Sequence, residues 1–265
     1  MQIKFNYYPG GKRKALTMSY DDGQVHDRRL VELFNRHGIK GSFHLNSGFF
    51  GRENMLDANE IRELYAGHEV SAHGLTHPFL TQVPKEELAH QILEDRRQLE
   101  ELAGYPVRGM SYPFGDFDDA MVSLLPALGI EYSRTTLSHG RFHLPSNFLL
   151  WHPTCHHNDA VMEKLRLFQS TYSWQQMPLY YVWGHSFEFH HQDNWGLIEE
   201  FCAAAAHDPH VWYATNIEIV DYLMALKGLH FNVERTMVEN PSALPVWIDA
   251  DGEPVMIGPG ECKAL

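Results

Sequence analysis

Two adjacent carboxylates, Asp21 and Asp22, end an apolar strand-like run that begins at Leu16, and Gly23 follows them. A segment that has been burying itself cannot keep two charges dry, so the chain must emerge there into a place where charge is wanted. Neighbouring side chains on an extended backbone point to opposite sides. The pair therefore divides between two tasks: one carboxylate can hold a metal while the other takes a proton. Taken alone, Asp-Asp-Gly is an ordinary turn, and it is the rest of the chain that gives it a chemical reading. His73 and His77 follow another strand-like run, with the spacing that puts two imidazoles on one face of a helical turn. Two histidines and one carboxylate with open positions form a catalytic metal set, since a closed structural site would use a fourth protein ligand. Water bound at such a metal loses its proton near neutral pH.

These residues need elements that carry them to one place. A hairpin is expected from residues 2–8 and 14–20 around Pro9-Gly10-Gly11-Lys12. Asp27 reads as the cap of a helix with Leu30, Val31, Leu33 and Phe34 inward, stopping at Gly38. Strands follow at 39–45 and 68–72, separated by a short helix with Asp57 and Glu60 as a capping box. Pro84 opens a long amphipathic helix to Ala103, and further strands are expected at 107–112, 130–134, 148–151, 179–183 and 211–214. Helices are expected at 118–128, 159–170 and 194–206, and Thr215 with Glu218 caps a last one ending at Gly228. His190 and His191 read as solvated loop residues. Strand and helix alternate about seven or eight times, which predicts an α/β fold of the distorted (β/α)7–8, TIM-like barrel type. Residues 1–227 would form the barrel and 228–265 a C-terminal β tail packed on it, with a hairpin turning at Asp251-Gly252. Asp21, Asp22, His73, Pro113, Arg134 and His185 all close strands, and in barrel enzymes the C-terminal strand ends form the working face.

Composition sets outer bounds. The 265 residues are 44% hydrophobic and 12% aromatic, a globular composition. The formal net charge of -13 argues against nucleic acid or an anionic membrane surface as partner. No apolar stretch reaches membrane-spanning length, so no membrane insertion is expected. No signal peptide is visible in residues 1–30, and Cys155, Cys202 and Cys262 give no disulfide framework. A cytoplasmic, reducing location is the expectation.

At this point the chain resembles the polysaccharide deacetylases of the NodB-homology group, carbohydrate esterase family 4. Tyr20-Asp21-Asp22-Gly23 is similar to their first motif, His73-xxx-His77 to their second, and Pro113-Phe114-Gly115 to the end of their third. Val182-Trp183-Gly184-His185 stands where their last motif ends in His. The resemblance covers roughly residues 14–227 and implies one divalent metal, zinc first, with cobalt, nickel, iron or manganese also able to serve. It implies Asp22, His73 and His77 as its ligands, Asp21 as general base, His185 as general acid and the Phe114 backbone N–H as an oxyanion donor. The substrate it implies is a carbohydrate or amino sugar carrying an N-acetyl or, second, an O-acetyl group. Tyr20, Pro113, Trp151, His156, Trp183 and Glu188 are candidate substrate contacts, with Trp183, Phe114 and Trp151 able to stack on a sugar ring.

The chain also departs from the family pattern. Ser111 stands where the third motif carries an Arg, and the Asp-rich fourth motif is absent. Arg134, at the end of the neighbouring strand, is the expected replacement, keeping Asp21 ionised and oriented; Arg108 lies one strand step too early. His156 or His157 could reach the site, whereas a separate metal held by the Cys155-His156-His157 run lacks spaced partners. Two other functions fit the same barrel: hydrolysis of a cyclic amide or imide, and carbohydrate binding with the chemistry lost.

Overall fold

The computed structural model describes residues 1–171 and 176–265. The first elements are strand β1 (Ile3–Lys4), strand β2 (Lys14–Asp22), helix α1 (Asp27–His37), strand β3 (Gly41–Leu45), helix α2 (Ile61–Leu64) and strand β4 (Glu69–Ala72). Helix α3 (Lys85–Ala103), strand β5 (Gly109–Ser111), helix α4 (Asp119–Leu124), strand β6 (Tyr132–Arg134), strand β7 (Cys155–His156) and helix α5 (Val161–Ser170) follow. The barrel part ends with strand β8 (Leu179–His185), helices α6 (Ser186–His191) and α7 (Trp195–Ala205), strand β9 (Val211–Tyr213) and helix α8 (Asn216–Lys227).

Eight of these strands form one parallel sheet in the order β6-β5-β4-β3-β2-β8-β7, with β9 also on β2. This is the distorted (β/α) barrel expected from the sequence. β2 is its axis, and all but its last residue are buried, as befits a strand covered on both faces. β8 pairs with β2 from Ala15 to Asp21, so β9 (opposite Lys14–Leu16) and β3 (opposite Met18–Asp22) must share the other edge. The sheet curls shut through residues 151–157. Trp151 bridges to Arg134, and Thr154 and His157 donate their N–H groups to Tyr181 and Trp183 of β8 at 2.8 and 2.9 Å.

Local chemistry explains the helices. α1 buries Leu30, Val31, Leu33 and Phe34 and stops at Gly38, whose φ of +63° takes the left-handed conformation open to glycine. The capping boxes at Asp57/Glu60 and Thr215/Glu218 are both present. α3 presents Leu88, Ile92 and Leu99 to the core and, on the same buried stripe, Asp95. Asp27 is not the cap expected: it lies inside the first turn of α1, buried, and accepts a 2.6 Å hydrogen bond from Tyr65 Oη.

Other differences have equally local causes. Residues 2–8 do not pair with β2; Ile3–Lys4 instead pair antiparallel with Val246–Ala250 of the tail. The strand expected at 148–151 is a 3-10 turn, Phe148–Leu150, leading into the single bridge at Trp151. His190 and His191 end helix α6 and are exposed there, not in a loop. The tail consists of strands β10 (His230–Phe231), β11 (Met237–Glu239), β12 (Val246–Ala250), β13 (Glu253–Ile257) and β14 (Cys262–Ala264). β12 and β13 form the hairpin expected at Asp251-Gly252, and Trp247 N–H reaches Tyr222 Oη of α8 at 3.2 Å. Among the described residues no helix is long and apolar enough to cross a membrane.

Candidate active site

Asp22 leaves β2 with a φ of +82°, and His77 and Phe114 have φ of +52° and +58°. Three non-glycine residues in the left-handed region at one place mark a backbone held against its preference, a pattern that clusters at functional sites. The result is a tight set of donors. Asp22 Oδ1 stands 3.6 Å from His73 Nε2 and 3.8 Å from His77 Nε2, and the two nitrogens are 3.1 Å apart. Donors placed about 2.0–2.2 Å from one tetrahedral cation are separated by about 3.3–3.6 Å, so the three atoms fit a single ion.

The ring of His73 is set for that task. Its Nδ1 lies 2.9 Å from the Ser111 carbonyl oxygen and 2.7 Å from Ser111 Oγ. A carbonyl can only accept, so Nδ1 carries the proton and Nε2 keeps its lone pair. Burial pushes the imidazole down to about 3, which keeps it neutral. Its backbone N–H donates at 3.0 Å to Asp95 Oδ2, while Ser47 N–H and Oγ donate to Asp95 Oδ1 at 2.8 and 2.6 Å. Burial lifts Asp95 to about 7 against these bonds.

Asp21 is almost fully buried. The two carboxylates do not diverge as strand alternation predicts: Asp22, with its φ of +82°, leaves the extended conformation, and Asp21 Oδ2 also stands 3.8 Å from His73 Nε2. Arg134, with no exposed surface, pairs through its guanidinium with Asp21 Oδ2 and lies 4.5 Å over the Trp183 ring. Ser111 Oγ donates to Asp21 Oδ1 at 3.1 Å, and His44 Nδ1 is 3.4 Å from the same oxygen. Burial opposes ionisation of Asp21, but Arg134, then His73, His44 and His185, outweigh it and hold the carboxyl well below its usual range. Arg108 is committed elsewhere, to Asp221 at 2.7 Å and Glu131 at 3.0 Å.

His185 ends β8 beside these groups, in register with Asp21. Its Nδ1 is 3.2 Å from Glu188 Oε1. Burial would lower its pKa, but the bond to Glu188 and the charges of Asp21 and Asp22 outweigh it and raise it. Glu188 Oε2 lies 3.0 Å from His156 Nε2 and 2.9 Å from His157 Nε2. Trp183 is half-buried above His156, its Nε1 donating to Ser138 Oγ at 3.1 Å. Phe114 is exposed, stacked on exposed Phe79 with centroids 4.0 Å apart and 4.3 Å from the His77 ring.

Three expected substrate contacts do not line the cleft. Tyr20 is fully buried among Phe34, Phe43 and Phe189, because its side chain alternates to the face opposite Asp21. Trp151 is buried between Tyr132, Phe148 and Tyr181, where closing the sheet turns it inward. Pro113 is buried too. Conversely, Ser111, His44 and Asp95 belong to the site; Ser111 stands at a motif position expected to carry Arg, and no sequence pattern marks His44 or Asp95.

Residues 9–133 match the family model for polysaccharide deacetylase. A peptidoglycan-N-acetylglucosamine deacetylase of Listeria monocytogenes is 29% identical over 117 residues, 43% of this chain and 24% of that one. Chitin deacetylase 1 of Cryptococcus neoformans is 27% identical over 115 residues, again 43% and 24%. The chain thus aligns with about a quarter of the length of these relatives. Among solved structures, one from Mycobacterium smegmatis assigned to the polysaccharide deacetylases has a TM-score of 0.63 at 17% identity, covering 85% of this chain and 96% of that one. A CE4 family pseudoenzyme from Bacillus anthracis has a TM-score of 0.52 at 19% identity, covering 80% and 66%. At such identities these structures establish the fold alone. The motifs at Asp21, Asp22, His73, His77 and Pro113 all fall inside the stretch, residues 9–133, that matches the polysaccharide deacetylase family model.

Proposed function

We propose that the protein is a divalent-metal-dependent hydrolase that removes an N-acetyl group from an amino sugar in a carbohydrate. One observation carries this reading: Asp22, His73 and His77 bring three ligand atoms together beside the buried Asp21–Arg134 pair. The relatives' own substrates, peptidoglycan N-acetylglucosamine and chitin, favour a polymer or oligomer of that sugar. Zinc suits the donor set best, with cobalt, nickel, iron or manganese as alternatives. A divalent cation there acidifies water and polarises the acyl oxygen.

The chain's own residues supply the remaining chemistry. Asp21 stays a carboxylate across the working pH range and takes the proton that water gives up as its oxygen adds to the acyl carbon. Arg134 and Ser111, one on each carboxylate oxygen, fix its direction. The Phe114 backbone N–H supports the oxyanion that develops on the acyl oxygen. His185, its Nδ1 anchored on Glu188, gives its Nε2 proton to the nitrogen as the C–N bond breaks. Acetate and a free amine leave. Trp183 and Phe114 remain available to stack on the sugar, with Glu188 and His156 at the same rim.

The test is metal content of the purified protein followed by acetate release from chitooligosaccharides and N-acetylglucosamine derivatives. Release that disappears in Asp22→Asn supports the reading. Metal-loaded, folded protein that opens cyclic amides but releases no acetate overturns the substrate class. Sugar binding with no turnover at all overturns the enzyme and leaves a binding barrel, as the pseudoenzyme's shared fold allows.

A further inference from the structure

We infer that His156, His157 and Glu188 form a second divalent-cation site, separate from the Asp22, His73 and His77 set. The sequence offers two neighbouring histidines without a spaced partner; the fold supplies one. β7 ends at His156, β8 runs parallel beside it, and the first turn of α6 swings Glu188 across from β8. Glu188 Oε2, His156 Nε2 and His157 Nε2 all lie within 4.8 Å of one another, with the carboxylate oxygen 3.0 and 2.9 Å from the two nitrogens.

Neither of those short contacts has the angles of a hydrogen bond, although both imidazoles favour the ionised carboxylate. Among the described residues, Glu188 Oε2 and both ring nitrogens of His157 are buried without a hydrogen-bond partner. His157 is 1% exposed, clamped between Tyr20 and Phe189 with centroids 5.8 and 4.1 Å away. Leaving a buried imidazole and a carboxylate oxygen unsatisfied side by side is destabilising. A cation between them would engage His157 Nε2 and Glu188 Oε2 at once, leaving only His157 Nδ1 unpartnered, and two imidazoles with one carboxylate is a zinc- or cobalt-type donor set that leaves a position open. Gly184 keeps the ring in place: a Cβ there would stand 2.0 Å from His157 Nδ1. His156 Nδ1 now accepts the Asn158 N–H at 3.2 Å. Ligation through Nε2 puts the ring proton on Nδ1, so exposed Asn158 passes its N–H to water.

The position has a consequence for the neighbouring site. Glu188 uses Oε2 for this set and Oε1 for His185 Nδ1, 3.2 Å away. A cation held here fixes the carboxylate that orients His185, as outer-shell groups do around metals.

The test counts zinc in chelator-stripped, reloaded and dialysed protein, with circular dichroism to confirm folding. Two equivalents are expected in the wild type, one in Asp22→Asn/His73→Asn, one in Glu188→Gln, and none in the combined variant. Cobalt substitution in Asp22→Asn/His73→Asn should give a visible d–d band that Glu188→Gln removes. One equivalent in the wild type and none in the folded Asp22→Asn/His73→Asn variant overturns the second site, as does a count unmoved by Glu188→Gln. One equivalent in the wild type, kept in Asp22→Asn/His73→Asn and lost in Glu188→Gln, supports this site and refutes the first. If the Asp22→Asn/His73→Asn variant does not fold, the wild-type and Glu188→Gln counts alone decide.

Discussion

Arg134→Met removes the one guanidinium that faces Asp21 and leaves a buried carboxylate without its counter-charge. The protein contains its own reference for such a group. Asp27 and Asp95 are equally buried carboxyls with no arginine partner, and burial lifts both to about 7. With Arg134 gone, only His73, His44 and His185 still oppose burial, so the Asp21 carboxyl rises. A smaller fraction of molecules then retains an ionised carboxylate, and the shortfall grows as pH falls. Acetate release should fall by up to the ~10²–10⁴-fold that a positioned base supplies, with the larger loss at pH 5.5 than at pH 7. Losing the fixed orientation adds a pH-independent loss. Bound metal should stay constant, because Asp22, His73 and His77 do not touch Arg134. Breaking a buried pair by deleting one partner also costs about 3–5 kcal/mol of stability. The linkage changes with it: in the wild type the depressed Asp21 adds stability above its unfolded pKa, lost as pH falls. In the variant the risen carboxyl adds less of that stability. The assay is a pH–rate profile with metal content and urea midpoints measured in parallel, and Arg134→Lys, which keeps the charge, should recover the acid side in part. An Arg134→Met profile that parallels the wild type down to pH 5.5 would refute the argument.

The other predictions concern groups around the same centre. Ser111→Ala removes the hydroxyl shared by Asp21 and His73 but keeps the carbonyl that sets the His73 tautomer. Turnover or zinc affinity should drop by about 5–10-fold, the worth of roughly 1–1.4 kcal/mol, with no change in fold by circular dichroism. Asp95→Asn must turn its amide towards either Ser47 or the His73 N–H, both of which donate to it now. A loss of about 1–3 kcal/mol in urea unfolding and weaker zinc binding are expected. On the proposed mechanism His185 acts in its protonated form, and its pKa is raised because Glu188, Asp21 and Asp22 outweigh burial. Activity should therefore fall on the alkaline side as that proton is lost, and His185→Gln should abolish that limb of the pH–rate profile together with most turnover. Gly184→Ala drives a methyl into His157 and should lower the thermal midpoint by several degrees, the effect of about 1–3 kcal/mol of overpacking.

The parts of this fold that are legible in the sequence are those whose signal is local. β2 and α3 declare themselves by their own apolar pattern, and Asp57/Glu60 and Thr215/Glu218 by residues three apart. Charges stranded at the ends of apolar runs pick out Asp21, Asp22, His73 and His185 for the same reason. What stays hidden depends on pairing across long separations. Asp95 reads as one more polar residue on an amphipathic helix until Ser47 and His73 are seen to converge on it. His44 sits inside a fully buried strand, where nothing local tells which side it faces. Tyr20 and Trp151 have the composition of a sugar platform, but alternation and sheet closure turn them into the core. α6 has only six residues, too few for helical periodicity to speak, so the sequence does not place the carboxylate that reaches His156 and His157.

The Arg134–Asp21 pair meets a physical requirement from a strand other than the one that carries the motif position. Ser111, where the resembling family carries Arg, and Arg134 are register partners on adjacent parallel strands. Such partners project to the same face about 4.8 Å apart, a span that the long arginine side chain covers easily. An arginine one strand over therefore starts from a different place, and here its guanidinium ends on Asp21 Oδ2. The motif position is useful in turn, since serine is short enough to bond both Asp21 and His73 from beneath. A buried carboxylate beside a cation site has to be paired, because an unpaired one takes up a proton and ceases to be a base. That demand is met by a charge at a point in space, whichever strand delivers it, so the letters of a motif can change while the electrostatics that gave the motif its meaning stay in place.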